Sequence, residues 1–235
     1  MRSIFLSFLT TVFFFSQFAL ADSKLESSTP LDDLMSPDEI ANEAGFPRTE
    51  MQDPSAIKTV DDIARIEGVD IYSAYPLVLV INKRDRGFGA QRISVYEKGV
   101  KTQEWMVSTG RERWEIAKSG RRYFSVTPLG WYYPQTIKRM HWSNTWEAKM
   151  EFAVFFNGGV AVHATTPDHY SELGMRASGG CVRLEYKNAE YVYNRILAEG
   201  RGLVPSVRRD GSMQRDRRGI PQYTTNWKTL IAVVE

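Results

Sequence analysis

Residues 152–165, FAVFFNGGVAVHAT, set two apolar, β-prone runs on either side of an Asn-Gly pair. Asn157-Gly158 suits a tight hairpin with positive φ at both turn positions, so the stretch predicts two paired strands. His163 then falls near the end of the second strand, entering a loop. Similar short runs separated by turn signals recur from Tyr75 onward. They are PLVLVINK (76–83), QRISVYEKG (91–99), TQEWMVSTG (102–110), GRRYFSVTPLGWYYPQ (120–135, broken at Pro128 and Gly130) and the terminal NWKTLIAVVE. One longer helix is predicted over NAEYVYNRILAEG (188–200). Asn188 is its expected cap, Ala189, Val192, Tyr193, Ile196 and Leu197 repeat at helical spacing, and Gly200 ends it. The connection RGLVPSVRRDGSMQRDRRGIP (201–221) reads as a solvated basic loop. No internal repeat is visible. The pattern is mainly β with one central helix (α+β) rather than a βαβ alternation.

Ahead of this body the chain changes character twice. MRSIFLSFLTTVFFFSQFALA (1–21) has the positive start, apolar run and small-residue cleavage site of a secretory signal peptide. Its apolar run, Ile4 to Phe18, is short of the ~20 residues a membrane span needs. Export to the periplasm or cell envelope is therefore expected, with a mature start at Asp22 and no stable membrane span after cleavage. Residues 22–75 read as an acidic leader or linker, with 4 Lys/Arg against 13 Asp/Glu. One short helix is predicted by Ser36 as cap, Pro37 in the first turn, Glu39 closing a capping box and Gly45 at the end. A second runs from Val60 to Ile66, capped by Thr59 and closed near Gly68. The rest of the mature chain holds 25 Lys/Arg against 15 Asp/Glu. That balance suits an anionic partner outside the cytoplasm, a carboxylate-rich wall polymer or a membrane surface rather than nucleic acid.

The chain has one cysteine, Cys181, in ASGGCVRLEY (177–186), so no internal disulfide supports the fold. An unpaired thiol in an oxidising compartment is a liability unless something uses it. Nucleophilic use needs a thiolate, a base to generate it, and donors for an oxyanion. With a free thiol pKa of about 8.5, only a few per cent is ionised at neutral pH. The candidate bases are His141, His163 and His169. Gly179 and Gly180 allow a sharp turn whose amides can point at a carbonyl. A cysteine on such a turn is expected to be exposed, the alternative being a small buried residue in a glycine-rich bend. Three scattered histidines and one cysteine show no metal-ligand spacing, and neither metal nor cofactor is expected.

His163, fourteen intervening residues and then Ser178-Gly179-Gly180-Cys181-Val182-Arg183 resemble the signature of the L,D-transpeptidases (YkuD-like domains) of bacterial cell-wall synthesis. VSTG (107–110), TPLG (127–130) and Leu173-Gly174 add to the resemblance, which covers about residues 76–235. It implies a β-sandwich with short N-terminal helices outside it. It also implies roles: Cys181 as nucleophile, His163 as general base, and the Ala164 backbone carbonyl orienting the imidazole. Amides of Gly180 and Cys181 are the implied oxyanion donors. Arg183, Ser178, Gly179 and Tyr132 are the implied substrate-binding set. Arg183 would face a substrate carboxylate, the alternative being a structural salt bridge, and Ser178 would brace the loop rather than react. Trp131-Tyr132-Tyr133 would wall the groove, the alternative being rings that cover the β core. His141, with Trp142 and Trp146, could line the cleft, although a core or surface role is favoured, and His169 reads as an exposed loop residue. The departure is Gly179, where the family usually carries a second histidine.

The implied reaction is acyl transfer on the tetrapeptide stems of peptidoglycan through a Cys181 thioester. D-Ala would be released and a 3-3 cross-link formed, or an amine exchanged. The alternatives are L,D-carboxypeptidase action with water as acceptor and a non-catalytic wall-binding module. Each catalytic version requires Cys181 and His163 to meet at the mouth of an open groove.

Overall fold

Residues 29–235 are described in the computed structural model, so the signal peptide predicted over residues 1–21 lies outside the described residues. The leader forms α1 (Leu31–Leu34), α2 (Pro37–Ala44), α3 (Val60–Asp62) and α4 (Ile71–Ala74), with a π turn over Ile63–Glu67 after α3. In the body follow β1 (Leu77–Asn82), β2 (Arg92–Glu97), β3 (Val100–Met106), β4 (Thr109–Gly110), β5 (Trp114–Ile116), β6 (Arg122–Phe124) and β7 (Gly130–Tyr132). Next come β8 (Thr136–Ser143), β9 (Ala148–Asn157), β10 (Val160–Ala164), β11 (Arg176–Ser178) and β12 (Val182–Leu184). The long helix α5 (Tyr186–Glu199) precedes β13 (Arg201–Pro205), β14 (Tyr223–Trp227) and β15 (Thr229–Val234).

Two larger sheets, ordered β3-β2-β1-β15-β7 and β12-β10-β9-β8, share one core. In β1 the alternation is direct: Leu77, Leu79 and Ile81 enter that core with Ile93, Val95, Ile231 and Val233, while Val78 faces the other side. The second sheet contributes Val154, Phe156, Val162 and Leu184, and α5 closes the core with Ala189, Val192 and Ile196. The result is mainly β with one central helix, as the sequence predicts.

Both sheets are covered on their outer faces too, which the sequence pattern does not reveal. Ile63, Ile71 and Tyr75 from the leader, with Val204, Val207 and Met213, bury the far side of the first sheet. The region predicted as a solvated basic loop (201–221) thus begins with β13, paired to β14, and anchors apolar side chains beneath its charged surface. On the second sheet, Leu31, Met35 and Ile40 of the leader cover Ala153, Phe155, Ala161 and Cys181. A strand covered on both faces has no polar side, which explains why FAVFF lacks alternation. Burying Leu31 and Ile40 completely contributes about 1.5–3 kcal/mol each.

Local predictions hold with small corrections. The α2 capping box and its left-handed Gly45 end are present, as is the Thr59 cap, with Asp62 as its reciprocal partner. Asn188 is not a cap: α5 starts at Tyr186, with Glu185 at the cap position and no side-chain cap bond, and Asn188 lies inside the helix, buried. In the β9–β10 hairpin, positive φ falls on Gly158 alone of the predicted pair; Asn157 is the last residue of β9, paired with Val160. Its side-chain amide is held by the leader instead, accepting from Glu50 N at 3.0 Å and donating to Glu50 O at 2.8 Å. A Cβ on Gly159 would lie 1.9 Å from Pro37 O and 2.8 Å from Ala41 N, backbone atoms that cannot swing away. Gly159→Ala should therefore loosen α2 from the sheet and cost about 1–3 kcal/mol in chemical unfolding.

Candidate active site

β10 and β12 run parallel with His163 opposite Arg183, which brings two distant stretches of sequence side by side. Three residues of β10 (Val162 to Ala164) face four of β9 (Val154 to Glu151), and within the longer span Phe152 is held at φ 53°. This bulge re-aims the end of β10 where His163 stands. Nδ1 of His163 lies 2.8 Å from Ala164 O. A carbonyl only accepts, so Nδ1 carries the proton, and in the neutral ring the lone pair is then on Nε2. Nε2 makes no hydrogen bond among the described residues. One ring nitrogen of His163, Sγ of Cys181 and one carboxylate oxygen of Asp32 lie within 4.8 Å of one another.

The loop before β12 is braced from several sides. Ser178 Oγ donates to Cys181 O at 2.6 Å and accepts from Gly180 N at 3.1 Å. Thr127 Oγ1 donates to Gly180 O at 2.7 Å and accepts from Gly110 N at 2.9 Å. The VSTG and TPLG stretches, recognisable in sequence but without a stated role there, are thus the scaffold of the cysteine loop. Sγ accepts from Ala161 N at 3.4 Å and donates to Gly159 O at 3.7 Å.

Several placements differ from expectation. Cys181 is buried, not exposed, and His163 is 1% exposed; the expected open groove is filled by α1 and the start of α2. Burial, and then the Asp32 carboxylate, push the thiol well above its ordinary pKa, so it is neutral here. The Gly180 amide is committed to Ser178, whereas the Gly179 amide reaches a carboxylate oxygen of Asp32 at 3.3 Å. Arg183 is fully buried and meets acids of the chain itself. Its Nε lies 3.1–3.2 Å from both Asp32 oxygens, Nη2 is 2.7 Å from Asp33 Oδ1, and Nη1 is 3.1 Å from Glu172 Oε2. Tyr132 is a core ring, 1% exposed, with its hydroxyl donating to Leu129 O at 2.7 Å; it presents no groove wall beside Cys181. His141 is buried edge-on to Phe155, and His169 pairs with Glu172 at 3.1 Å.

The residues that sequence reasoning passed over are Asp32, Asp33, Glu172 and Arg111, the last pairing with Asp33 and Glu115. The acidic pair in LDDL, flanked by leucines, is a signal for charge at an apolar surface, but nothing local says which cation meets it. Burial alone would raise the Asp32 pKa. The Arg183 guanidinium, and then His163, outweigh burial and hold it far below the usual carboxylate range. A depressed pKa means that Asp32 contributes stability above its unfolded value, near 3.8, and loses it as pH falls further. Unfolding midpoints should be flat down to about pH 5 and drop steeply below about pH 4 in the native chain, less so in Asp32→Asn. Asp32, His163 and Cys181 carry atom types a metal could use, but Arg183 sets a fixed positive charge on the same carboxylate, which opposes a cation there.

Residues 77–211 match the family model for the YkuD L,D-transpeptidase catalytic domain. The chain belongs to this family. Among solved structures, the chain is similar to an L,D-transpeptidase from Xylanimonas cellulosilytica, 22% identical over 84% of this chain and 76% of that one, with a TM-score of 0.45. It is also similar to LdtMt1 solved with imipenem, 17% identical over 68% of this chain and 59% of that chain, TM-score 0.43. An L,D-transpeptidase from Mycobacterium smegmatis gives 16%, 68% and 59%, again with TM-score 0.43. The chain thus spans about three-fifths of the length of these last two proteins. No curated protein matches. The family match places β1 through the segment after β13 inside the YkuD domain, while α1 and α2, which cover Cys181, lie ahead of it. No helix among the described residues is long and apolar enough to cross a membrane.

Proposed function

We propose that this chain is an exported cysteine acyltransferase acting on peptidoglycan stem peptides, working through Cys181 with His163 as base. The observation that supports it most is the meeting of the two: an imidazole whose Nδ1 proton is tied to Ala164 O, leaving a free lone pair on Nε2, beside the chain's one thiol. The thiol proton passes to Nε2 as Sγ attacks the amide carbon that precedes the terminal D-Ala. The C–N bond breaks, the proton moves from Nε2 to the departing amine, and D-Ala leaves behind a thioester. An acceptor amine then attacks the thioester carbon and the thiol is restored; a 3-3 cross-link results when the amine belongs to a neighbouring stem. Water in that place makes the enzyme an L,D-carboxypeptidase. Arg183 and the Gly179 amide supply a carboxylate-binding corner beside the sulfur, and planar bidentate pairing suits arginine to it. Secretion by the segment 1–21 would bring the enzyme to the envelope, where its basic surface faces an anionic polymer. Incubation with purified disaccharide-tetrapeptide, with products read by mass, tests this. Dimer or amine-exchanged product supports transfer, tripeptide supports hydrolysis, and unchanged substrate with a reactive Cys181 refutes both.

A further inference from the structure

We propose that residues 31–46 are a detachable plug that keeps the Cys181–His163 pair latent, with Asp32 standing where a ligand carboxylate would bind. The proposal rests on the assignment of those two side chains as the reacting pair. Three independent features point to it. Asp32 takes up the donors of the pocket together: both its oxygens meet Arg183 Nε, and one accepts from the Gly179 amide. That is the hydrogen-bonding pattern of a bound anion, supplied by the chain itself.

The second feature is Gly179. A Cβ there would lie 1.7 Å from Asp32 O and 2.9 Å from Asp32 C, so any side chain at this position is incompatible with the seated segment. The histidine that the family pattern places here could not coexist with α1 in its present position. The departure from that pattern and the seated segment are thus sterically linked: only a residue without a Cβ at 179 lets the Asp32 backbone enter.

The third feature is how the segment is attached. Its apolar side chains Leu31, Met35 and Ile40 close over Cys181, and Lys118 N donates to Leu34 O at 2.9 Å, as to an edge partner. Beyond Phe46 the chain runs through a mostly exposed stretch, with Pro47, Arg48, Glu50 and Asp53–Ala56 all at the surface. Release of the segment parts the Glu43 contacts to Ser143 and Asn144 and uncovers the outer face of the second sheet, but leaves intact the core shared by the two sheets, which contains no residue of α1 or α2. While it is seated, the thiol is buried and beside a negative charge, so both access and ionisation are withheld.

Because Cys181 is the chain's one thiol, its alkylation by iodoacetamide, read by intact mass, measures the plug without reference to any wall substrate. The native protein from residue 22 onward should alkylate slowly. Asp32→Ala, Gly179→His, and a chain cut at a protease site inserted between Pro54 and Ser55 should each alkylate at least about tenfold faster while their unfolding transitions stay cooperative. Equal rates in the native and all three altered proteins would overturn the proposal, as would alkylation that in every case appears only with global unfolding. Should one variant fail to fold, the cut native sequence still decides the matter. Tetrapeptide turnover separates this inference from the assigned reaction. Unmasked thiol without turnover leaves the plug standing and removes the acyl transfer; equal turnover before and after release does the reverse.

Discussion

Cys181→Ala will lose acyl transfer by a factor of about 10⁴ or more, since no other group in the chain can form the thioester. Single-turnover assays with a tetrapeptide donor, in the native chain and in the Asp32→Ala background, will read this as absence of acyl-enzyme mass. A carbapenem gives a second readout: a stoichiometric covalent adduct on the Asp32→Ala protein, absent once Cys181 is replaced. The substitution is mild for the fold. It removes a single sulfur from a pocket lined by Ala153, Phe155, Ala161 and Ile40, at a cost of about 1 kcal/mol. Loss of activity with a preserved unfolding transition therefore reports chemistry and not collapse. His163→Gln, which keeps polarity without a base of suitable pKa, should give about 10²–10⁴-fold loss in the same assay. A variant lacking Cys181 that still releases D-Ala would end the nucleophile assignment.

The largest structural effect will come from Arg183→Met. The guanidinium holds Asp32, Asp33 and Glu172 together, and Asp32 is buried with it. Methionine of similar length leaves the buried Asp32 carboxylate without its cation, a loss of about 3–5 kcal/mol by the rule that a broken buried pair costs more than it ever contributed. For a domain of this size that is a fall of roughly 6–20 °C in unfolding midpoint. The double variant Arg183→Met with Asp32→Leu should recover much of it, because an apolar pair no longer strands a charge. Thermal denaturation of the four corners of this cycle measures the coupling directly. A single variant as stable as the native chain would mean that Arg183 is not the anchor of the leader. Arg113, exposed and paired with Glu115 at 3.0 Å, offers the contrast: its replacement should change stability by less than about 1 kcal/mol.

How far the chain could be read depended on the range of the interaction concerned. The β-rich character, the α2 capping box, the end of α5 at Gly200 and the hairpin ahead of His163 rest on neighbours a few residues apart, and they were legible because alternation, capping and turn chemistry act at that range. The misplaced start of α5 and the shifted hairpin turn are errors of one to three residues: α5 begins without a side-chain cap, and Asn157 is held by Glu50. Val204, Val207 and Met213 looked like residues of a solvated loop because charge surrounds them; only the sheet beneath shows where they go.

Sequence alone determined which atoms are available for chemistry: one thiol, three imidazoles, and an arginine two residues after the cysteine. Their family signature survives at a spacing that strand pairing converts into proximity. Tertiary structure decided access and charge. Asp32 lies 151 residues from Arg183 along the chain, and no periodicity links positions so far apart. Whether Cys181 faced solvent or α1, and whether its arginine met a substrate or an acid of its own chain, depended on which surface the leader covered. That choice is made by the summed fit of apolar area and buried charge over the whole fold, a quantity that no local stretch of residues contains.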